Sequence, residues 1–333
     1  MRDPLTLESA REIVWSLWAD QIAAAVPFTS RRPKLFHTDV RFFGPAPIGH
    51  LNGYDALHDQ LYGPLAGSFS TIRRIPYLFF ADRYDGATWV GTTGDWVGRM
   101  DQPYLGIPAG AAPRRLRFGE FYKVENGSIN EIRCLFDLPG LAAQAGIDLL
   151  PPFAGHPGPV PGPRAGSGIN REGKAEAQSA ITRDLVARMI GGCNTLDGSD
   201  LESMGMEAFW HADMVWHGPW GIGSAHGLDE FRRFAQGPSV SSFPNRRGTW
   251  PKDVFIAEGH VAGFTGWPSM VGEFTGIPFR GIAPTGGAIS QTIMDFYIRR
   301  GAKLWENWVL IDLVDFARQC GVDLLAPLGS DPV

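Results

Sequence analysis

The chain is poor in the features that would assign it early. Its 333 residues hold three cysteines, Cys134, Cys193 and Cys320, far apart and without CxxC spacing. That excludes a thiolate zinc site and a disulfide scaffold, and favours a reducing compartment with buried, inert thiols. No run of about 18 apolar residues occurs, so no membrane-spanning helix is expected. The N-terminus, Met1-Arg2-Asp3-Pro4-Leu5-Thr6-Leu7-Glu8, lacks the apolar core of a secretory signal, and a cytoplasmic location is expected. Lysine and arginine form no block, and the formal net charge is −5. Nucleic-acid binding needs a basic surface, so that class is set aside. GxGxxG, GxxxxGK[ST] and HExxH are all missing, which argues against nucleotide and zinc-hydrolase sites. No cofactor and no metal are expected.

What the chain does have is the same pattern twice. His37-Thr38-Asp39 leads to Phe42-Phe43-Gly44-Pro45, with Gly53 following. His211-Ala212-Asp213 leads to Trp216-His217-Gly218-Pro219, with Gly227 following, a constant offset of 174. Near the module ends Glu131, Asp137 and Gly146-Ile147-Asp148-Leu149-Leu150 recur as Glu306, Asp312 and Gly321-Val322-Asp323-Leu324-Leu325, at 175. A long period with matched ends means two copies of a whole domain. Residues 151–174 are rich in proline and glycine, which propagate neither helix nor strand, so they read as an extended linker. The expected domains are 1–150 and 175–333.

Each half reads as helices first, then antiparallel strands, an α+β order. Ile13, Val14, Leu17 and Trp18 space a first helix, and Ile181, Leu185, Val186, Met189 and Ile190 repeat it. Leu201 to Trp210 reads as a second helix. The last strand of the second half is Leu304-Trp305-Glu306-Asn307-Trp308-Val309-Leu310-Ile311-Asp312. Alternation places Glu306, Trp308, Leu310 and Asp312 on one face. Two carboxylates and an indole in a concavity make a candidate acid/base site, because an apolar wall raises a carboxylate's pKa. Aspartate is equally a preferred helix N-cap, and Asp312 precedes an apolar stretch at Leu313–Cys320. Both roles are open.

Gly218-Pro219 with Gly227, then Gly272-Glu273-Phe274-Thr275-Gly276-Ile277-Pro278, Thr285-Gly286, Glu306-Asn307-Trp308 with Asp312, and Gly321, together resemble the SnoaL-like polyketide cyclases of the nuclear transport factor 2-like superfamily. The resemblance spans most of residues 180–325 and is looser over 10–150. It implies a cone: a curved antiparallel sheet around helices, with an apolar pocket. It also implies cofactor-free aldol cyclisation with an acid/base aspartate on the last strand, which matches Asp312, and Asp137 in the other copy.

The copies differ. Trp308 corresponds to Arg133, which gives the first half a face of Glu131, Arg133 and Asp137. An arginine between carboxylates favours ion pairing; the alternative is an anion site, or an epoxide-polarising site as in limonene-epoxide hydrolases. His217 replaces Phe43 and His226 replaces Asn52. His217 is the candidate to orient Asp312 or shuttle its proton. Asp295, recurring as Glu120, shares a face with Ile293 and Tyr297 and either lines the pocket or forms a surface pair. Trp216, Trp220, Trp308, Glu306, Asp295 and His226 are the candidate ligand-binding set.

The reading is therefore two tandem cone-shaped domains packed as a pseudo-dimer, monomeric or further oligomerised. The second pocket is the functional one. It would remove a proton alpha to a carbonyl of a small apolar or polycyclic substrate. The alternatives are a non-catalytic small-molecule carrier and an epoxide-hydrolase-like hydrolase.

Overall fold

Two stretches with apolar side chains three and four apart form the long helices, α1 (Leu7–Ala23) and α5 (Glu176–Cys193). α1 buries Ala10, Val14, Leu17 and Trp18 and is capped by Thr6, whose hydroxyl accepts from Ser9 N at 3.0 Å. α5 buries Thr182, Leu185, Val186, Met189 and Ile190. Ile181, expected in that stripe, is 48% exposed instead. The computed structural model describes residues 6–27, 33–151 and 153–328.

The chain divides into two units. In unit 1, α1 is followed by β1 (Phe36–Phe43), β2 (His50–Asn52), α2 (Tyr54–Leu57) and α3 (Gly63–Ser68). The long strands β3 (Phe69–Tyr84), β4 (Ala87–Met100), β5 (Pro113–Glu125) and β6 (Ser128–Phe136) come next, then α4 (Leu138–Ala143). A short β7 (Gly168–Ile169) completes a sheet of order β2-β1-β6-β5-β4-β3-β7. In unit 2, α5 precedes β8 (Trp210–His217), β9 (Ser224–His226), α6 (Gly227–Phe231) and α7 (Gly237–Ser242). Then come β10 (Arg247–Gly248), β11 (Val254–Glu258), β12 (Val261–Glu273), β13 (Ala288–Arg300), β14 (Lys303–Ile311) and α8 (Leu313–Gln319). Its order is β9-β8-β14-β13-β12, with β10 and β11 both on β12. Apart from β7, which pairs parallel with β3 in unit 1, the two sheets share one topology, including a parallel step between the short first strand and the last, β1 on β6 and β8 on β14. Both units are α+β, as the element order implied.

Three local features have a chemical reason, and the first departs from the expected helix. Leu201 to Trp210 is not one helix. Gly205, in the left-handed region at φ 61°, separates two tight turns at Leu201–Met204 and Met206–Ala208, and β8 already begins at Trp210. The helix before the long strands is interrupted in both units by a wide turn, His58–Tyr62 and Arg232–Gln236, directly before Gly63-Pro64 and Gly237-Pro238. A proline supplies no N–H and its ring crowds the carbonyl four residues back, so the ladder widens there. Third, β3 is one strand of 16 residues, whereas its counterpart in unit 2 is broken into β10 and β11. Pro251 lies in the break and cannot donate to a ladder.

The linker expected at 151–174 is not a free spacer. Residues Leu150–Gly166 belong to unit 2 and Ser167–Gly173 to unit 1, where β7 pairs with Leu78 and Phe79 of β3. Residues 324–328 also group with unit 1 rather than with the second half.

The interior of unit 1 holds a charged pair among aromatic residues. Arg74 and Glu120, 2% and 3% exposed, form a buried ion pair. Tyr122 donates to Glu120 at 2.7 Å and accepts from Trp18 Nε1 at 3.0 Å. The guanidinium lies 3.8 Å from the Phe118 ring centroid and 4.5 Å from that of Trp18. Breaking such a pair from one side strands the other charge, at a cost of about 3–5 kcal/mol. Glu120→Gln should therefore destabilise the protein by about that amount in denaturant melts, and Glu120→Gln with Arg74→Met should recover most of the loss. An unchanged melt for the single variant would show that the pair is not the internal support of unit 1.

Candidate active site

β13 and β14 form a hairpin around Gly301 whose register shifts by one residue between Ile298 and Arg299. Ile293 lies opposite Ile311, Asp295 opposite Val309 and Tyr297 opposite Asn307. These odd-numbered residues share the inner face. With Met189, Ile190 and Cys193 of α5, Trp210 and Trp216 of β8, Phe231 of α6 and Phe264 of β12, they enclose a cavity of about 210 Å³. The wall is apolar except for a small group of polar side chains, chiefly Asp295, Asn307, Tyr297, Lys252, Gln291 and Arg246. A mostly apolar pocket with a few convergent polar groups is the usual form of a small-molecule site.

Asp295 is its chemical centre. Burial pushes its carboxyl up to about 6 from an ordinary 3.8. Opposing that rise are hydrogen bonds from Asn307, whose Nδ2 stands 3.2 Å from Oδ1, and from Tyr297, and the nearby Lys252 charge. Asp295 keeps some exposed surface, yet the surrounding protein excludes enough solvent to disfavour its charge. The Tyr297 phenol is driven well above its ordinary range by burial and by Asp295, so it stays protonated and donates. Burial lowers the Lys252 ammonium, while the Asp295 charge holds it up. Lys252 stands in the break between β10 and β11, and its Nζ donates to Ser269 O at 3.0 Å. Cys193, expected to be inert, is pushed up to about 11 by burial.

Most residues singled out on the last strand lie elsewhere. The face of Glu306 and Trp308 is the outer face of β14, which Pro161 and Arg164 cover. Glu306 is fully buried, accepts from Arg164 N at 3.1 and 3.2 Å, and pairs with its guanidinium at 3.3 Å. Trp308 Nε1 donates to Pro161 O at 2.9 Å. His217 stacks on Trp308 at 5.3 Å, with Nε2 3.9 Å from Glu306 Oε1 and Nδ1 3.5 Å from Ser224 Oγ. It belongs to this outer cluster and is no partner of a cavity acid. Asp312 is outside the cavity and is the N-cap of α8, its carboxylate accepting from Asp315 N at 2.9 Å. Trp220 packs edge-on against Phe153 at 4.4 Å, and His226 is exposed beside His156. Of the candidates in this half, Trp216 and Asp295 line the cavity.

The first-half candidates are structural in the same way. Asp137 caps α4 through Gly140 N at 3.1 Å. Glu131 is buried between Arg41 and Arg133, with Arg133 Nε at 2.7 Å. This is the ion pairing that an arginine beside a carboxylate favours. Asn307, Lys252, Arg246 and Gln291 escaped the sequence reading. The turn at Arg300-Gly301 alone would have put residue 306 opposite 297; a one-residue register shift between Ile298 and Arg299 brings Asn307 there instead, which no local signal announces.

Residues 194–320 match the SnoaL-like polyketide cyclase family. Unit 2 carries a SnoaL-like domain. Similar solved structures include AclR of Streptomyces galilaeus, at 18% identity over 43% of this chain and 97% of that one, with TM-score 0.35. IdmH of Streptomyces antibioticus is 23% identical over 42% and 97%, TM-score 0.34. A phenazine biosynthesis-related protein of Pseudomonas aeruginosa is 17% identical over 48% and 94%, TM-score 0.32. No curated protein matches the chain. No group of three metal-ligating side chains occurs among the described residues, and no described helix is long and apolar enough to cross a membrane.

Two measurements test these placements. Asparagine caps a helix about as well as aspartate, whereas alanine costs about 1 kcal/mol. Asp312→Asn should hold its denaturation midpoint and Asp312→Ala should lose about that much; equal effects would remove the cap assignment. For Asp295 the folded pKa lies above the unfolded one, so the native state holds the proton more tightly. Its contribution is most favourable below about pH 4 and is lost as pH rises through 6. Asp295→Asn should be more stable than the parent at pH 8, by up to about 3 kcal/mol, with the gap closing near pH 4. A gap independent of pH would contradict a raised pKa.

Proposed function

We propose that unit 2 is a cofactor-independent acid/base catalyst that removes and returns a proton alpha to a carbonyl of a small, largely apolar substrate. The observation that carries this reading is Asp295: a carboxylate in an aromatic-walled cavity, poised near pH 6. A base of that pKa is mostly ionised at neutral pH yet returns its proton readily. Asn307 and Tyr297 would hold it in place by hydrogen bonds. Lys252, a cation in the same wall, would steady the oxygen of the enolate that forms, an electrostatic contribution of about 2.7–4 kcal/mol in comparable sites. Trp216, Phe231 and Phe264 would hold a planar ligand. The SnoaL-like match of unit 2 supports chemistry of this class, and cyclisation or isomerisation would depend on the substrate.

Catalysis and plain binding separate in one assay. 2-Tetralone has acidic protons beside its carbonyl and fits a bicyclic pocket. Its proton–deuterium exchange in buffered D₂O is read by NMR. The protein should accelerate exchange over buffer, Asp295→Asn should lower the rate about 10²–10⁴-fold, and Asp312→Asn should leave it unchanged. Binding without exchange would establish a carrier, and an Asp295→Asn protein of full activity would sink the assignment of the base.

A further inference from the structure

The cavity contains a charge that the protein does not answer. In unit 1 the buried guanidinium of Arg74 has its own carboxylate, Glu120. In unit 2 the wall holds two cations, Arg246 and Lys252, and one carboxylate, Asp295. Lys252 and Asp295 feel each other's charge. The Arg246 guanidinium makes no hydrogen bond or ion pair with any described residue, and its Nε is buried without an acceptor. Burial pushes its pKa below the ordinary guanidinium range, and the neighbour that offsets this is the Cys193 thiol. Arg246 is half-buried, and its enclosed Nε would gain an acceptor from a bound counter-charge.

A second unanswered donor stands at the same level. Gln291 is 3% exposed and its Nε2 has no acceptor. The sheet register runs Gly248–Met270–Gln291 across three strands, so Arg246, two residues before Gly248, and Gln291 mark one end of the cavity. Asp295 lies four residues further along β13, roughly 13 Å away at the rise of a strand. Donors are thus at one end and the base at the other, with aromatic walls in the same enclosure.

We propose that the ligand of this cavity is an aromatic or alicyclic monoanion, about two rings in size, whose carboxylate is received by Arg246 and Gln291 while its carbonyl end reaches Asp295. This rests on unit 2 being the small-molecule site proposed above. The fork of a guanidinium suits a carboxylate's two oxygens. With Asp295 ionised, the three charged wall residues sum to one positive charge, which a monoanion cancels.

The test compares 2-naphthoate with its neutral methyl ester at pH 8, by tryptophan fluorescence and titration calorimetry. 2-Naphthoate should bind at least about tenfold tighter, the usual worth of a charged hydrogen bond. Arg246→Met should fold normally, bind the ester as before and lose the preference, and Arg246→Lys should keep part of it. Equal affinities in the parent, failure of both probes to bind, or a preference that survives Arg246→Met would each overturn the proposal. Tetralone exchange on the same preparations separates the two readings. Exchange without anion preference removes this inference alone; anion preference without exchange keeps it and removes the catalytic role.

Discussion

The arrangement of unit 2 depends on how one carboxylate is buried. Glu306 is fully enclosed, and an unanswered carboxylate in that position would cost several kcal/mol. Arg164 answers it through both its backbone N–H and its guanidinium, and Trp308 adds a hydrogen bond to Pro161. This clasp ties the proline-rich segment to the outer face of β14. Side chains alternate along a strand, so fixing Glu306 and Trp308 outward turns Asn307, Val309 and Ile311 inward. The character of the cavity follows from that choice of face, since Asp295 and Tyr297 on the paired strand face the same way.

The two units show how one topology accommodates two interiors. Glu120 and Tyr122 on β5 correspond in sequence to Asp295 and Tyr297 on β13. In unit 1 a continuous β3 delivers Arg74 onto Glu120, and Trp18, Trp96 and Phe118 close around the pair. In unit 2 the equivalent strand is broken near Pro251, the register puts Gly248 where unit 1 has Arg74, Lys252 reaches the cavity wall from the break, and α5 presents Met189 and Ile190 to a space that stays open. An interior closed around such a pair gains packing and a satisfied ion pair. An open one gives up part of that stabilisation and keeps a carboxylate whose proton affinity lies near neutrality.

The caps illustrate a related economy of residue type. Asp137 and Asp312 stand at the same point of each unit, between the last strand and a short helix, and each accepts a backbone N–H from the first turn. Their recurrence reflects a need common to both units, a strand-to-helix turn with orphan donors. A residue repeated in both copies is explained most simply by what both copies must do. The two interiors differ at Arg74 against Gly248 and at Glu120 against Asp295.

The sequence by itself determined the duplication, the α+β order, the long strands and the grouping of residues by strand face. These are properties of local periodicity and of a repeat offset, which need no knowledge of distant contacts. It also brought Asp295, Ile293 and Tyr297 together on one face. It did not determine which face of the last strand looks inward, because both faces of β14 are buried and alternation has no sign. Only the tertiary structure decided that, by laying Pro161 and Arg164 over the outer face and answering Glu306 there. The same applies to Lys252 and Arg246. Their place in the cavity wall follows from a broken strand folding back onto β12, a long-range event that no local pattern records.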